Sequence, residues 1–232
     1  AQLVKPKAPL LQFSAGQGVG LAVHGRETPF DVTVVGRASG SGQVVALGAS
    51  SIFATKKVWG APSGLAGLPP LQSVFVRADG VRVAVGGLGT IVRSTDGGSF
   101  KKETTPSNLI LHGVWSAPTG PFFAVGAGGT LLRDGPAGWK IAPSNVLPGV
   151  NWRAIAGYDD GVALAAGGKQ VALWYLNKWT TVNQITGLQP SGAPFSAIAC
   201  YTKGPKRMVL LGRHPVVQQI TLDPAKPPHL NC

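Results

Sequence analysis

The sequence predicts an all-β fold, a five-bladed β-propeller of four-stranded antiparallel blades. Three observations carry that expectation. A unit recurs along the chain, with apolar anchors at Val34, Val74, Val114, Ile155 and Ile198 spaced 40, 40, 41 and 43 residues apart. Glycines recur with it at Gly48, Gly86, Gly126, Gly167 and Gly212. Within each unit, short β-branched and aromatic runs alternate with Asp-Gly or Gly-rich turns, the local chemistry of hairpins, because glycine reaches positive φ without steric cost. A period near 40 built from such runs is what a propeller blade requires. Blades are expected over 31–60, 71–104, 111–142, 152–182 and 195–223 plus 10–23, in a single domain covering 1–232.

In chain order, Leu10 to Val23 comes first, a segment with strand-like apolar runs and no unit of its own to pair with. The last unit offers strands near 195–200, 206–212 and 216–222, then DPAKPPHL, whose prolines exclude a regular strand. The expectation is that 10–23 supplies the missing fourth strand and closes the ring, removing two exposed edges at once. The unit at 31–55 is the faintest copy. The unit at 71–104 is the clearest: Leu71 to Arg77, Val81 to Gly86, Thr90 to Ser94 and Phe100 to Glu103 read as strands. The turns between them are Asp79-Gly80, Gly86 to Gly89 and Asp96-Gly97-Gly98. The unit at 111–142 repeats the plan.

The first two strands of each unit, such as Phe122-Phe123-Ala124-Val125, are apolar without alternation, so both faces must be covered. Radial stacking of blades does that. Lys101, Lys102, Lys140 and Lys178 fall on fourth strands, where charge guards an exposed edge. A solenoid would need a polar cap at each end, which the sequence does not show.

Composition agrees. The 232 residues include 33 Gly and 19 Pro, with 44% hydrophobic and only 13% charged residues, which is not the balance of a disordered chain. The net charge of +12 favours an anionic partner. Its basic residues are scattered, and no aromatic RNA-binding or zinc-finger motif accompanies them, so no specific nucleic-acid binding is expected. The sequence holds no 18-residue apolar run, hence no transmembrane segment is expected. The opening AQLVKPKAP reads as the start of a mature secreted or periplasmic protein. Cys200 and Cys232 are either a disulfide or a buried thiol and a terminal one.

The segment LHGVWSAPTGPFFAVGAGGTLLRDGPAGWK (111–140) resembles the repeats of bacterial extracytoplasmic propellers of the neuraminidase-type (BNR, Asp-box) and photosystem-II-assembly-factor-like group. Ser94-Thr95-Asp96-Gly97-Gly98-Ser99-Phe100 is similar to the Asp box of that group, with Phe in place of Trp and one residue early. The likeness covers 71–182 well. It implies a propeller fold and, for Asp96, a turn-forming role. The group includes sialidases, lectins and assembly factors, so it leaves function open.

Chemistry-bearing residues are sparse. Most of the nine acids sit beside Gly or in turns, and the four histidines share no ligand spacing. No catalytic residue, cofactor or metal site is expected, and the chain is read as non-enzymatic. Binding has better candidates. Trp115 and Trp152 fall on innermost strands near a channel mouth, and Trp59 and Trp115 open the paired loops WGAPSG and WSAPTG on the rim. Arg93 and Arg133 end equivalent third strands and present repeated cations. Trp139, Trp179 and Phe100 share a fourth-strand position suited to packing between blades. The leading expectation is a protein–protein interaction or assembly module whose partner has an acidic surface. A lectin-like module for a polyanionic glycan is the alternative, and a glycoside hydrolase the second alternative.

Overall fold

The computed structural model describes residues 63–182, except 78, 97–98, 147 and 159–160, together with the strands at 31–35, 43–47, 52–55, 59–60, 195–201, 207–212 and 217–221. Among these residues, five antiparallel sheets follow one another along the chain, each a meander with strands in sequence order. The first sheet holds β1 (Asp31–Val35), β2 (Gln43–Leu47), β3 (Ile52–Thr55) and β4 (Trp59–Gly60). The second holds β5 (Leu71–Val76), β6 (Arg82–Gly86), β7 (Ile91–Ser94) and β8 (Lys101–Glu103). The third holds β9 (Leu111–Ser116), β10 (Phe122–Gly126), β11 (Leu131–Arg133) and β12 (Lys140–Ile141). The fourth holds β13 (Ala154–Gly157), β14 (Ala163–Gly167), β15 (Gln170–Tyr175) and β16 (Lys178–Thr181). The fifth holds β17 (Phe195–Tyr201), β18 (Arg207–Gly212) and β19 (Val217–Thr221). The expected closing strand at 10–23 lies outside the described residues.

Consecutive sheets meet through their first strands: β1 lies beside β5, β5 beside β9, β9 beside β13 and β13 beside β17. The second, third and fourth sheets are therefore covered on both faces, and their apolar second strands show it residue by residue. On β10, Phe122 and Ala124 enter the cluster shared with the second sheet, while Phe123 and Val125 enter the cluster shared with the fourth. On β14, Ala163 and Ala165 face the third sheet, while Leu164 and Ala166 pack with Phe195 of the fifth. That is period-2 alternation between two cores rather than between core and water. Among the described residues no helix is long and apolar enough to cross a membrane.

The recurring glycine has a steric cause. Gly86 and Gly126 are extended (φ −171 and −165), so no left-handed backbone demands them. Instead, the incoming chain of the same blade crosses their Cα: a Cβ at Gly86, Gly126 or Gly167 would collide with the carbonyl of Pro70, Ile110 or Asn151. In two of these sheets the crossing coincides with a bulge, where β5 and β9 each slip one residue against their partner strand.

Neighbouring sheets are also laced at the periphery. The Ser63 carbonyl accepts from Phe100 N–H at 3.0 Å, and the Pro143 carbonyl accepts from Trp179 N–H at 2.8 Å. A segment leaving one blade thus pairs with the outer strand of the next, which fixes Phe100 and Trp179 in the seam. Phe100, Trp139 and Trp179 are all buried, as the packing expectation required. Lys101, Lys102, Lys140 and Lys178 are exposed on the outer strands.

Candidate functional site

Charged groups concentrate in the seam between the second and third sheets. Arg93 lies near the end of β7 opposite Lys101 and Val83. It donates from Nε to Glu103 Oε1 and from Nη2 to Asp134 Oδ2, both at 2.7 Å. Glu103 belongs to its own sheet and Asp134 to the next. The second oxygen of Glu103 accepts from Trp139 Nε1 at 2.6 Å. The Arg93 guanidinium lies 5.1 Å from the centroid of the Phe122 ring, and that of Arg77 lies 4.9 Å from it. Burial opposes the Arg93 cation, but the hydrogen bonds from Glu103 and Asp134 outweigh it and raise its pKa. Arg93 is a clasp between blades. Its charge is met from within the chain.

Arg77 is used similarly. It donates to the Gly120 carbonyl of the third sheet at 2.9 Å and pairs with Asp79 at 2.7 Å. The Arg77 hydrogen bond is the main cause that holds the Asp79 carboxyl below its usual range. Asp96, the Asp-box residue, accepts from Ser99 N–H and from Ser94 Oγ, each at 2.9 Å. These are bonds of a turn, as the resemblance implied.

The seam between the third and fourth sheets repeats this scaffold with other side chains. Arg133 ends β11 opposite Phe123 and Lys140, the position Arg93 holds on β7. Ala142 N–H bonds to the Leu131 carbonyl, as the backbone of Glu103 pairs with Ile91, so Ala142 stands where the first clasp has Glu103. Asp134 sits across from Phe122, and Trp174 sits across from Ala163 in the equivalent pair, so Trp174 stands where the first clasp has Asp134. Arg133 accordingly meets no carboxylate among the described residues. Its guanidinium lies 5.4 Å from the Trp174 ring centroid. Arg133 Nε and Trp179 Nε1 are buried without a hydrogen-bond acceptor among the described residues. Trp179 is the counterpart of Trp139, whose N–H found Glu103.

What fills this second seam is aromatic. Phe123 contacts Trp174 with centroids 4.9 Å apart and Trp179 at 5.8 Å, while Trp115 stacks on Phe123 at 6.3 Å and 18°. The predicted binding aromatics belong here. Trp115 lies on β9 as expected but is only 8% exposed, and its indole crosses Gly157 of the next sheet, where a Cβ would come within 2.5 Å of it. Trp152 precedes β13 rather than lying on it, and it is fully buried. In these positions both rings pack between blades and neither offers a face to a ligand. A continuous apolar strand gives no alternation from which to tell inward from outward. Trp59 lies on β4, its side chain outside the described residues. Of the residues singled out for binding whose side chains are described, Arg133 alone is both partly exposed and without a carboxylate partner among the described residues.

Cys200 is a free thiol, mostly buried, and burial pushes its pKa up to about 12 against a smaller opposing hydrogen bond from Tyr158. Cys232 lies outside the described residues. Among the described residues no three His, Cys, Asp or Glu side chains gather as metal ligands would.

The fold has known counterparts. A catalytically inactive virginiamycin B lyase from Staphylococcus aureus with quinupristin matches with a TM-score of 0.63 at 15% identity, over 88% of this chain and 73% of that one. YCF48 bound to D1 peptide matches with a TM-score of 0.63 at 17% identity, over 90% and 70%. A chain of the Chaetomium thermophilum Polycomb Repressive Complex 2 matches with a TM-score of 0.61 at 12% identity, over 89% and 55%. The chain shares the β-propeller fold of these proteins. No family model and no curated protein sequence matches it. The fold hosts a lyase as well as binding proteins, so function must be argued from the surface.

Proposed function

We propose that this chain is a non-enzymatic propeller module that binds a protein partner, as an accessory or assembly subunit. The observation that carries the reading is an exposed apolar patch where the second and third sheets meet. Leu88 is 71% exposed, Leu109 43% and Ile110 45%. The three converge. Gly89 N–H donates to the Leu109 carbonyl at 2.8 Å, and the Leu109 side chain lies over Gly128. Leu88 also sits at φ 52, the left-handed region that Gly128 occupies in the next blade. A branched side chain there costs about 1 kcal/mol, with no packing gained in return. Clustered apolar exposure on a scaffold with a filled core marks a protein-binding surface. The likeness to YCF48 bound to a D1 peptide supports the same class.

This reading takes the chain as a secreted or cell-envelope protein, a single ring of five blades closed by 10–23, with a Cys200–Cys232 disulfide as one state of its thiols. Mass spectrometry without reductant tests that last element through the loss of the two thiol hydrogens. The function itself is tested by capture of a stoichiometric partner from native extracts on the wild-type chain and on a Leu88→Asp, Ile110→Asp double variant. The expected result is a partner that the variant loses while its thermal melt stays cooperative. Capture of nothing, or equal capture by both chains, overturns the reading.

A further inference from the structure

We infer that Arg133 is a receptor for a carboxylate supplied from outside the chain, by an acidic peptide segment docking on the seam between the third and fourth sheets. The Arg93 seam shows what an occupied site of this geometry looks like. There, two carboxylates reach the guanidinium at 2.7 Å, and one also accepts the indole N–H of Trp139. At Arg133 the equivalent positions are Ala142 and Trp174, so both acids are gone while both donors remain. A buried donor without an acceptor costs about 1–3 kcal/mol, and a carboxylate against this guanidinium removes that cost for its part of the site.

The surroundings select the ligand class. The exposed cross-strand partner of Arg133 is Lys140, and Lys178 stands opposite Tyr175 on the next outer strand. Exposed apolar side chains accompany them: Ile141 on β12 at 71%, Tyr175 at the end of β15 at 40%, and Leu176 in the turn that follows at 73%. A guanidinium with lysines and apolar side chains suits a peptide that carries a carboxylate beside apolar residues. A polyphosphate backbone offers nothing to the apolar part. The site lies at the opposite end of the third strand from Leu88, so it stands or falls apart from the apolar patch.

The test is fluorescence anisotropy with three labelled peptides: a glutamate-rich peptide with an amidated C-terminus, its glutamine counterpart, and a neutral peptide ending in a free carboxylate. The first and third separate side-chain from terminal carboxylates as the source. The expected result is that Arg133→Gln weakens binding of whichever acidic peptide binds by about ten-fold or more, the loss of one charged hydrogen-bond set. Lys140→Glu, an exposed change that sets a carboxylate about 5 Å from Arg133 Cβ across the strand pair, should weaken it as much by filling the site in cis. Lys169→Gln, on the turn at the far end of the fourth sheet, should leave binding within about two-fold of wild type. A like acidic peptide should also raise the melting temperature of the wild-type chain and not that of Arg133→Gln. Wild-type affinity in Arg133→Gln overturns the assignment. So does an equal loss in Lys169→Gln, which would signify diffuse charge attraction, and so does failure of both carboxylate-bearing peptides to bind wild type.

Discussion

Between the second and third sheets, the guanidinium of Arg93 is closed over by two carboxylates; between the third and fourth, its equivalent Arg133 meets an indole. The backbone is the same in both places, so the difference isolates what the side chains contribute. The first seam is polar at its outer end. Arg93, Glu103, Asp134 and Trp139 form a chain of charge-assisted bonds that fixes one sheet against the next in direction as well as in contact. The second seam gains its cohesion from ring burial, with Trp115, Phe123, Trp152, Trp174 and Trp179 in one cluster. It leaves the Arg133 and Trp179 donors without acceptors among the described residues. A repeat protein can close one joint with polar specificity and the next with apolar area, and at the latter the third-strand arginine meets no carboxylate among the described residues.

The largest expected effect comes from removing the apolar joint. Trp179 is fully buried in the aromatic cluster, so Trp179→Ala should cost about 3–5 kcal/mol in urea unfolding. Trp179→Phe sharpens the comparison, because the Trp179 N–H lacks the acceptor that the Trp139 N–H has in Glu103. Trp139→Phe should therefore lose more stability than Trp179→Phe, by about 1 kcal/mol. Equal losses would mean that the two seams are not polar and apolar versions of one joint.

Glu103→Ala comes next. It strips one carboxylate from Arg93 and the acceptor from Trp139, at a seam whose charges are partly exposed, so about 1–3 kcal/mol is expected. A comparable figure, about 1–3 kcal/mol, is expected for Gly157→Ala, whose added methyl meets the Trp115 indole at 2.5 Å. The former should steepen at low salt and the latter should not respond to salt, which separates the polar joint from the packed one.

Much of the fold is legible in the amino-acid order. The 40-residue repeat locates the strands to within a residue or two, because the turns that bound them are written in glycine and aspartate. The packing of Phe100, Trp139 and Trp179 is legible for the same reason: one register position, always aromatic. The sites are harder. Arg93 reads as a surface cation until one looks a period downstream, where Asp134 lies 41 residues on. Trp139 reaches back 36 residues to Glu103. Comparing each charged residue with the next unit finds both pairs. Trp115 and Trp152 read as ligand-facing aromatics near a channel mouth because runs apolar on both faces hide which way a side chain points. The loss of both acids at Arg133 is a difference between copies, visible only once the copies are superposed in register.

The smallest effect concerns pH and again separates the joints. His112 lies at the bulge of β9, and burial, with the nearby charge of Arg153 across the third and fourth sheets, lowers its pKa. A histidine whose folded pKa is depressed contributes stability that is present above its unfolded pKa, about 6.5, and lost as pH falls toward the folded value. The unfolded chain then binds a proton that the folded chain refuses. Thermal melts should therefore lose stability as pH drops below about 6.5, and His112→Gln should flatten that part of the profile. If His112→Gln left the slope between neutral and mildly acidic pH unchanged, the cationic character assigned to the third–fourth seam would not be felt by its inner strands. Arg133 would then be a local exception at the outer end of the joint.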